Sequence, residues 1–290
     1  VKLCLNRVTL SRDTSAGEVV RASHAAGFPF VELSARRLLE AVSGDPQAAE
    51  LVSSGAITPV HGGWSIRLHW ERDRFEQALP EAIAEMEAVA RLGSRSGALV
   101  LPRQRPDTGF LVPGREETLD RIGRVAAWAA SFDLSLMLEF NGLHTFDRSD
   151  RGCRTLKETV ELIRCLGSPN VGVLLDSYHW HASGGTAHEV AEIPADMPIF
   201  VHLNDAPDIR RHLLDDSLRQ LPGDGCIDLP ALLAALQWRG YEGPLSVELK
   251  NRELHSRSPY EAARLAHRAA ARVLEQPRPH VGTATEAGNS

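Results

Sequence analysis

The chain has 290 residues, enough for two small domains or for one α/β barrel of ordinary size, and its 43% hydrophobic and 24% charged residues leave material for a sizeable core. A formal net charge of -6 gives no general attraction to phosphate backbones or anionic lipid, so a small-molecule partner is expected and neither nucleic acid nor membrane is. No apolar run approaches the about 18 residues that span a bilayer, the first residues lack a signal-peptide pattern, and Cys4, Cys153, Cys165 and Cys226 form no close pair, so reduced thiols and a cytoplasmic location are expected.

VKLCLNRVTL opens the chain as a strand candidate, and a helical pattern follows from Ser15 to Ala26, closed by Gly27. FVELSA is the second strand, followed by a helix through Arg36 to Val52 with a break at Gly44 to Pro46. ITPVHGG ends the third strand at His61, and the long loop from Trp64 to Arg74 carries Trp64, Arg67, His69 and Trp70. Leu79, Ile83, Met86, Val89 and Ala90 recur at helical spacing between Phe75 and Leu92, and Gly93 stops that helix.

GALVLP is the fourth strand, a helix follows from Glu116 to Phe132, and LSLMLEF is the fifth strand. A second long loop, NGLHTFDRSDRG, precedes a helix from Thr155 to Leu166 and the sixth strand, VGVLLD. After DSYHWHASGG, a short helix from Thr186 to Ile193 leads to PIFVHLND, the seventh. A polar linker from Ala206 to Gly225, a helix from Leu229 to Arg239, the eighth strand LSVEL and a last helix from Tyr260 to Leu274 complete the pattern. Eight strands alternating with helices predict a single (β/α)8 barrel over residues 1–275. No G-x-G-x-x-G follows the first strand, which argues against a doubly wound open sheet. The tail 276–290, rich in Pro, Gly, Thr and Ser, is expected to be disordered.

Four of the later apolar runs acquire their polar group only at the C-terminal end, where a parallel barrel builds its site. These are Glu139 after LSLML, Asp176 and then His179 after VGVLL, His202 in PIFVHLND, and Glu248 in LSVELKN. Three carboxylates and an imidazole in one place repel one another unless a cation neutralises them, and the absence of thiolate points to one divalent Mn2+, Mg2+ or Co2+, with Zn2+ also able to bind. The competing reading makes one or two of them buried ion pairs or caps. A cation gripping two adjacent oxygens of an α-hydroxy ketone would favour an enediolate, with Glu139 and Glu248 placed to handle protons on either side of the substrate. His179 is a ligand, a donor to substrate or a loop residue held by backbone; Arg219, before a Gly-Asp-Gly turn, is a substrate fork or half of a surface salt bridge. Glu32 and His61, at the second and third strand ends, either line the pocket or satisfy buried backbone.

The segments LEFNG, LLDSYHWHASGG, FVHLNDA, LPGDG and SVELKN resemble the sugar phosphate isomerase/epimerase superfamily, the xylose-isomerase-like barrels, over residues 1–274 and most strongly after Leu134. Within it they are most similar to the inosose isomerase and ketose 3-epimerase branch. The resemblance implies that Glu139, Asp176, His202 and Glu248 bind one divalent metal, that the two Glu are the acid/base pair, and that His179 and Arg219 contact a sugar or polyol-derived ketone. The 3-dehydroshikimate dehydratases, a lyase alternative, share the quartet. The abasic-site endonucleases need a further His after the fourth strand and an Asp-x-His after the seventh, where this chain has LVLPRQR and DIRRH. No obvious Lys and Arg cluster joins the quartet, which favours an unphosphorylated substrate, and pairing of subunits is expected from the family.

Overall fold

The computed structural model describes residues 2–103, 113–144 and 152–279, the side chain of His61 excepted. Eight parallel strands follow one another in the chain: β1 (Lys2–Asn6), β2 (Phe30–Leu33), β3 (Thr58–His61), β4 (Ser96–Val100), β5 (Ser135–Glu139), β6 (Val171–Asp176), β7 (Ile199–Leu203) and β8 (Pro244–Val247). They are ordered β3-β2-β1-β8-β7-β6-β5-β4. The remaining gap, between β3 and β4, is closed just past β3 by a parallel bridge pairing Gly63 with Ala98, where the Ala98 amide donates to the Gly62 carbonyl at 2.9 Å. The fold is the (β/α)8 TIM barrel that the alternation of elements predicts.

Successive strand side chains point to opposite faces, so each strand serves two environments. Leu136, Leu138, Val173, Leu175, Val201 and Leu203 pack outward into the main core, against helices such as Leu156–Leu166 and Pro259–Glu275. Met137, Leu174 and Phe200 form a separate cluster with Val60 and Ala98, which is the apolar plug of the barrel interior. Two residues further along the same strands, on the same inward face, stand Glu139, Asp176 and His202. Strand periodicity therefore lifts the polar groups onto a floor of packed side chains.

Several boundaries differ from the sequence expectation for local reasons. The helical pattern after β2 does divide at the expected break, into Ala35–Gly44 and Pro46–Ser53, because Asp45 caps the second helix through the Ala48 amide and Pro46 occupies its first turn. The helix expected from Phe75 starts at Arg72 and accommodates Pro80 in its interior. Ser177–Ser183, expected as a loop, is a helix whose cap is Asp176, and a four-residue helix, Arg252–His255, follows β8. The polar linker after β7 holds two 3-10 turns, Arg211–Leu213 and Asp216–Leu218. Of the expected tail, residues 280–290 lie outside the described residues, as do 145–151 of the second long loop. No helix among the described residues is long and apolar enough to cross a membrane.

Gly172 shows how closely the strands approach. A Cβ there would lie 2.0 Å from the carbonyl oxygen of Pro198, which accepts from Val173 to open the β6–β7 ladder. Gly172→Ala must displace backbone and is expected to destabilise the fold by about 1–3 kcal/mol, read as an earlier midpoint in chemical denaturation.

Candidate metal centre and active site

Strands β5 to β8 bring Glu139, Asp176, His202 and Glu248 together at the C-terminal mouth of the barrel, with one ligand-type atom of each within 4.8 Å of all the others. Register explains the convergence: Asp176 pairs with His202 and His202 with Ser246, two residues before Glu248. The Glu248 amide extends that ladder by donating to the Leu203 carbonyl at 3.2 Å.

Asp176 ends β6 and caps the next helix. Its Oδ1 accepts from the amides of Tyr178 (2.7 Å) and His179 (3.1 Å), which fixes the carboxylate and turns Oδ2 towards the cluster. Oδ2 receives Asn204 Nδ2 at 3.1 Å and Arg219 Nη1 at 2.5 Å. Asn204 is itself held by Ser177, whose hydroxyl donates to its Oδ1 at 2.7 Å, and it donates to the Glu248 carbonyl at 3.3 Å.

His202 is anchored from below. Its Nε2 faces both oxygens of Glu32, at 3.0 and 3.1 Å, and Ser246 Oγ donates to Glu32 Oε2 at 2.5 Å. The opposite nitrogen, Nδ1, is buried and lacks a hydrogen bond. It lies 3.2 Å from Glu248 Oε2, 3.7 Å from Asp176 Oδ2 and 3.9 Å from Glu139 Oε1. An imidazole whose far nitrogen is tied to a carboxylate, and whose near nitrogen faces three oxygens, has the donor arrangement of a divalent-metal ligand. The set fits such an ion.

Charge is distributed unevenly. Burial, and next the charge of Glu248, push the Glu139 carboxyl up to about 8. Burial works against ionised Asp176 as well, but Arg219 and His202 outweigh it and hold that carboxyl well below the usual range. Glu248 is lowered against its burial by His202 and Arg219. Desolvation disfavours the charged form of His202, yet Glu32 and Glu248 raise its proton affinity well above the ordinary value. For His179 burial outweighs the raising effect of Asp176 and drives it down to about 4, leaving a neutral ring at neutral pH.

Arg219 is fully buried rather than part of a surface salt bridge, and the fork expected to be open to substrate is filled by the chain's own carboxylates. Nη1 reaches Asp176 and Glu248 (3.1 Å), while Nε and Nη2 both donate to Asp216 Oδ1, at 3.1 and 2.9 Å. Lys250 Nζ donates to the other oxygen of Asp216 at 2.9 Å. His179 stands in the same group, with Nε2 3.3 Å from Arg219 Nη2 and 4.0 Å from Glu139 Oε1.

A cavity of about 600 Å³ opens above the cluster, lined by Glu139, His179, His202, Asp216, Glu248 and Lys250 on one side and by residues of the loops after β1, β2 and β3 on the other. Glu32 also lines it, although its carboxylate is engaged by His202 and Ser246. His61 ends β3, and its side chain lies outside the described part. Trp64 is a core residue rather than a pocket wall, Trp70 stacks under Arg74 at 4.1 Å, and His144 faces the Ala182 carbonyl at 3.2 Å. The expectation that no Lys and Arg cluster joins the quartet is overturned, because Arg7, Arg37, Arg67 and Lys250 all line this cavity. They are dispersed along the chain and only barrel closure assembles them. Asn204 and Asp216 were also missed; the partners of Asn204 are distant in sequence, whereas Asp216 lies three residues before Arg219, a spacing that reads as an ordinary polar linker.

Two outcomes follow from this geometry. Glu32→Gln replaces the carboxylate behind His202 and is expected to weaken divalent-metal affinity by about ten- to a hundredfold, measured by titration calorimetry with a folded protein by circular dichroism. In the unaltered protein His202 and Glu139, the latter at about 8, must lose protons before binding a cation. Affinity should therefore climb as pH rises towards 8, and uptake should release protons, seen as a buffer-dependent binding enthalpy.

The chain is 24% identical to the inosose isomerase of Bacillus subtilis (strain 168) over 280 residues, which cover 95% of this chain and 99% of that protein. It is 28% identical over 247 residues to the 3-dehydroshikimate dehydratase of Pseudomonas putida (strain KT2440), spanning 84% of this chain but 37% of that longer protein. Among solved structures it is similar to the IOLI protein with a bound zinc atom, at a TM-score of 0.76 and 24% identity, covering 94% of this chain and 98% of that one. The sequence pattern of the xylose isomerase-like TIM barrel family matches residues 20–276, and the chain belongs to that family.

Proposed function

We propose that the protein is a divalent-metal-dependent isomerase or epimerase of a sugar, ketose or inosose, in which Glu139, Asp176, His202 and Glu248 hold the ion and the two glutamates move the substrate proton. The observation that carries this reading is the different access of the three carboxylates. Glu139 and Glu248 line the cavity with side chains 13% and 12% exposed, whereas Asp176 is completely buried below them. Only the glutamates can meet a substrate. A cation bound at this set would supply a Lewis acid that acidifies the substrate proton on the carbon beside the carbonyl.

Glu139 and Glu248 come from β5 and β8, with two strands between them, so they reach the cavity from different directions. One removes a proton from the carbon beside the carbonyl and the other delivers a proton, to the opposite face of that carbon in an epimerisation or, once the hydroxyl proton has passed to the former carbonyl oxygen, to the former carbonyl carbon in an isomerisation. Arg219 keeps Glu248 and Asp176 in register, and Asp216 keeps Arg219 in place. The neutral His179 offers a hydrogen bond to a substrate oxygen. Inosose isomerase relatives across nearly the whole chain support this branch.

A second reading, loss of water from a hydroxylated cyclic ketone, is favoured by the buried His179 at the cavity wall as a proton acceptor, and by the similarity to the Pseudomonas putida dehydratase. The two are separated by proton exchange in deuterated water on metal-loaded protein, with ketoses, inososes and 3-dehydroshikimate. Deuterium entering next to a carbonyl without water loss, and abolished by chelator, is the expected result; a conjugated product absorbing in the near ultraviolet would convert the assignment to a lyase. Glu248→Gln should lower exchange at least about a hundredfold with circular dichroism unchanged, and substantial residual exchange would remove Glu248 from the pair.

A further inference from the structure

The two sides of the cavity differ in charge. The ends of β5 to β8 and the loops after them supply carboxylates, imidazoles and Lys250, whereas on the other side, where the Glu32 carboxylate is taken up by His202 and Ser246, Arg7 follows β1, Arg37 lies in the helix after β2, and Arg67 lies in the loop after β3. Arg67 is held as a fork: Nη1 donates to the carbonyls of Trp64 (2.7 Å) and Ile66 (2.8 Å), and those are its hydrogen bonds among the described residues. Its Nε and Nη2 edge is left unused. The nearest acidic influence on it, Glu85, has both oxygens engaged by the Ser65 amide and hydroxyl at 2.6 Å each. Arg7 likewise has backbone carbonyls for partners, those of Leu10, Ser11 and Arg12. Burial, and next the proximity of Arg37, lower the proton affinity of Arg7, so these two cations stand close together.

Arg37 is paired on its own helix with Glu40 at 3.4 Å, whereas Arg7 and Arg67 are oriented by main-chain carbonyls, have no carboxylate partner among the described residues, and keep their positive charge available to the cavity. A neutral sugar needs no such wall. From this juxtaposition we propose that Arg67, backed by Arg7 and Arg37, is an anion subsite, and that the substrate is a hydroxylated carbonyl compound bearing a carboxylate or phosphate at the end remote from the glutamates. The subsite lies at the loops after β1 to β3 rather than at the loops after β7 and β8, where barrels commonly hold phosphate. The substrate class rests on the proposed isomerase reading, but the anion subsite does not.

The test pairs binding with turnover. Inorganic phosphate and malonate are titrated calorimetrically into metal-loaded protein, its Arg67→Gln variant and its Arg67→Lys variant, with metal content measured in each. Binding that falls at least about tenfold in Arg67→Gln, and partly recovers in Arg67→Lys, at unchanged metal content, supports the subsite even if no compound in the exchange panel is turned over. Absent or variant-independent binding overturns it. In deuterium exchange with neutral ketoses and inososes, ketose phosphates and hydroxylated keto acids, the expected result is preference for the anionic members. KM should rise about tenfold in Arg67→Gln and kcat stay within about threefold; the carboxylate and phosphate arms identify which anion. Exchange confined to a neutral sugar, with KM unmoved in Arg67→Gln, would sink the substrate class while leaving the isomerase reading intact.

Discussion

The mutual repulsion of carboxylates around His202 governs the architecture of the barrel mouth. Two unit charges 4.8 Å apart at an effective dielectric constant near 20 repel by about 3 kcal/mol, and Glu139, Asp176 and Glu248 present three such pairs within that distance. The total is comparable to the whole stability of many domains. The chain answers with Arg219, whose one nitrogen touches two of the three carboxylates, and with His202, whose proton affinity is raised by the same neighbours. Glu139 remains without a close permanent cation, and its carboxyl moves up to about 8. A divalent ion would relieve that imbalance more completely than a proton does.

Packing beneath the cluster makes this tolerable. Met137, Leu174 and Phe200 close the barrel interior, and the polar layer rests directly on them, with the Phe200 ring edge-on to His202 at 5.7 Å. Water cannot reach the charged groups from below, so their orientations depend on the pairs described. Glu32 to His202, Asn204 to Asp176 and Asp216 to Arg219 each fix one functional side chain by one buried or half-buried polar neighbour. Preorganisation of this kind lets a carboxylate act on substrate without first reorganising its surroundings.

Legibility in the sequence followed the range of the interactions. Strand runs, helix stops and the quartet could be read because each is a local pattern: an apolar run of period two, a Gly or Pro stop, a polar residue at a strand end. For Asp176 a cap and a ligand read as competing roles in the sequence, because either places an Asp after a buried strand; the structure makes it both cap and cluster member. Glu32 was noticed at its strand end, but its partner His202 is 170 residues away and Ser246 is 214, contacts that only barrel closure creates. Arg219 was expected at the mouth, yet its burial follows from the 3-10 turn that carries Asp216 under it. Of the arginines lining the cavity, Arg67 was singled out in its long loop, but Arg7 and Arg37 were not. Each sits in an ordinary polar turn or helix, and nothing within its own segment distinguishes a solvated arginine from one aimed at a cavity.

The two walls also divide labour along the chain. Under the proposed reading, the ends of β5 to β8 would hold the reacting end of a ligand and the loops after β1 to β3 would meet its other end, because residues of both sets line the one cavity. Since the strand scaffold and the floor are shared, changes in the first loops could alter which molecule is held without disturbing the carboxylate cluster. The carbonyl-held Arg67 belongs to those first loops, and its loop is fastened independently: buried Arg121, donating to the carbonyls of Leu68 (2.8 Å) and Trp70 (2.5 Å), ties the loop to the helix Arg115–Ala130. Specificity and chemistry are thus supported by separate sets of buried contacts, joined only through the barrel between them.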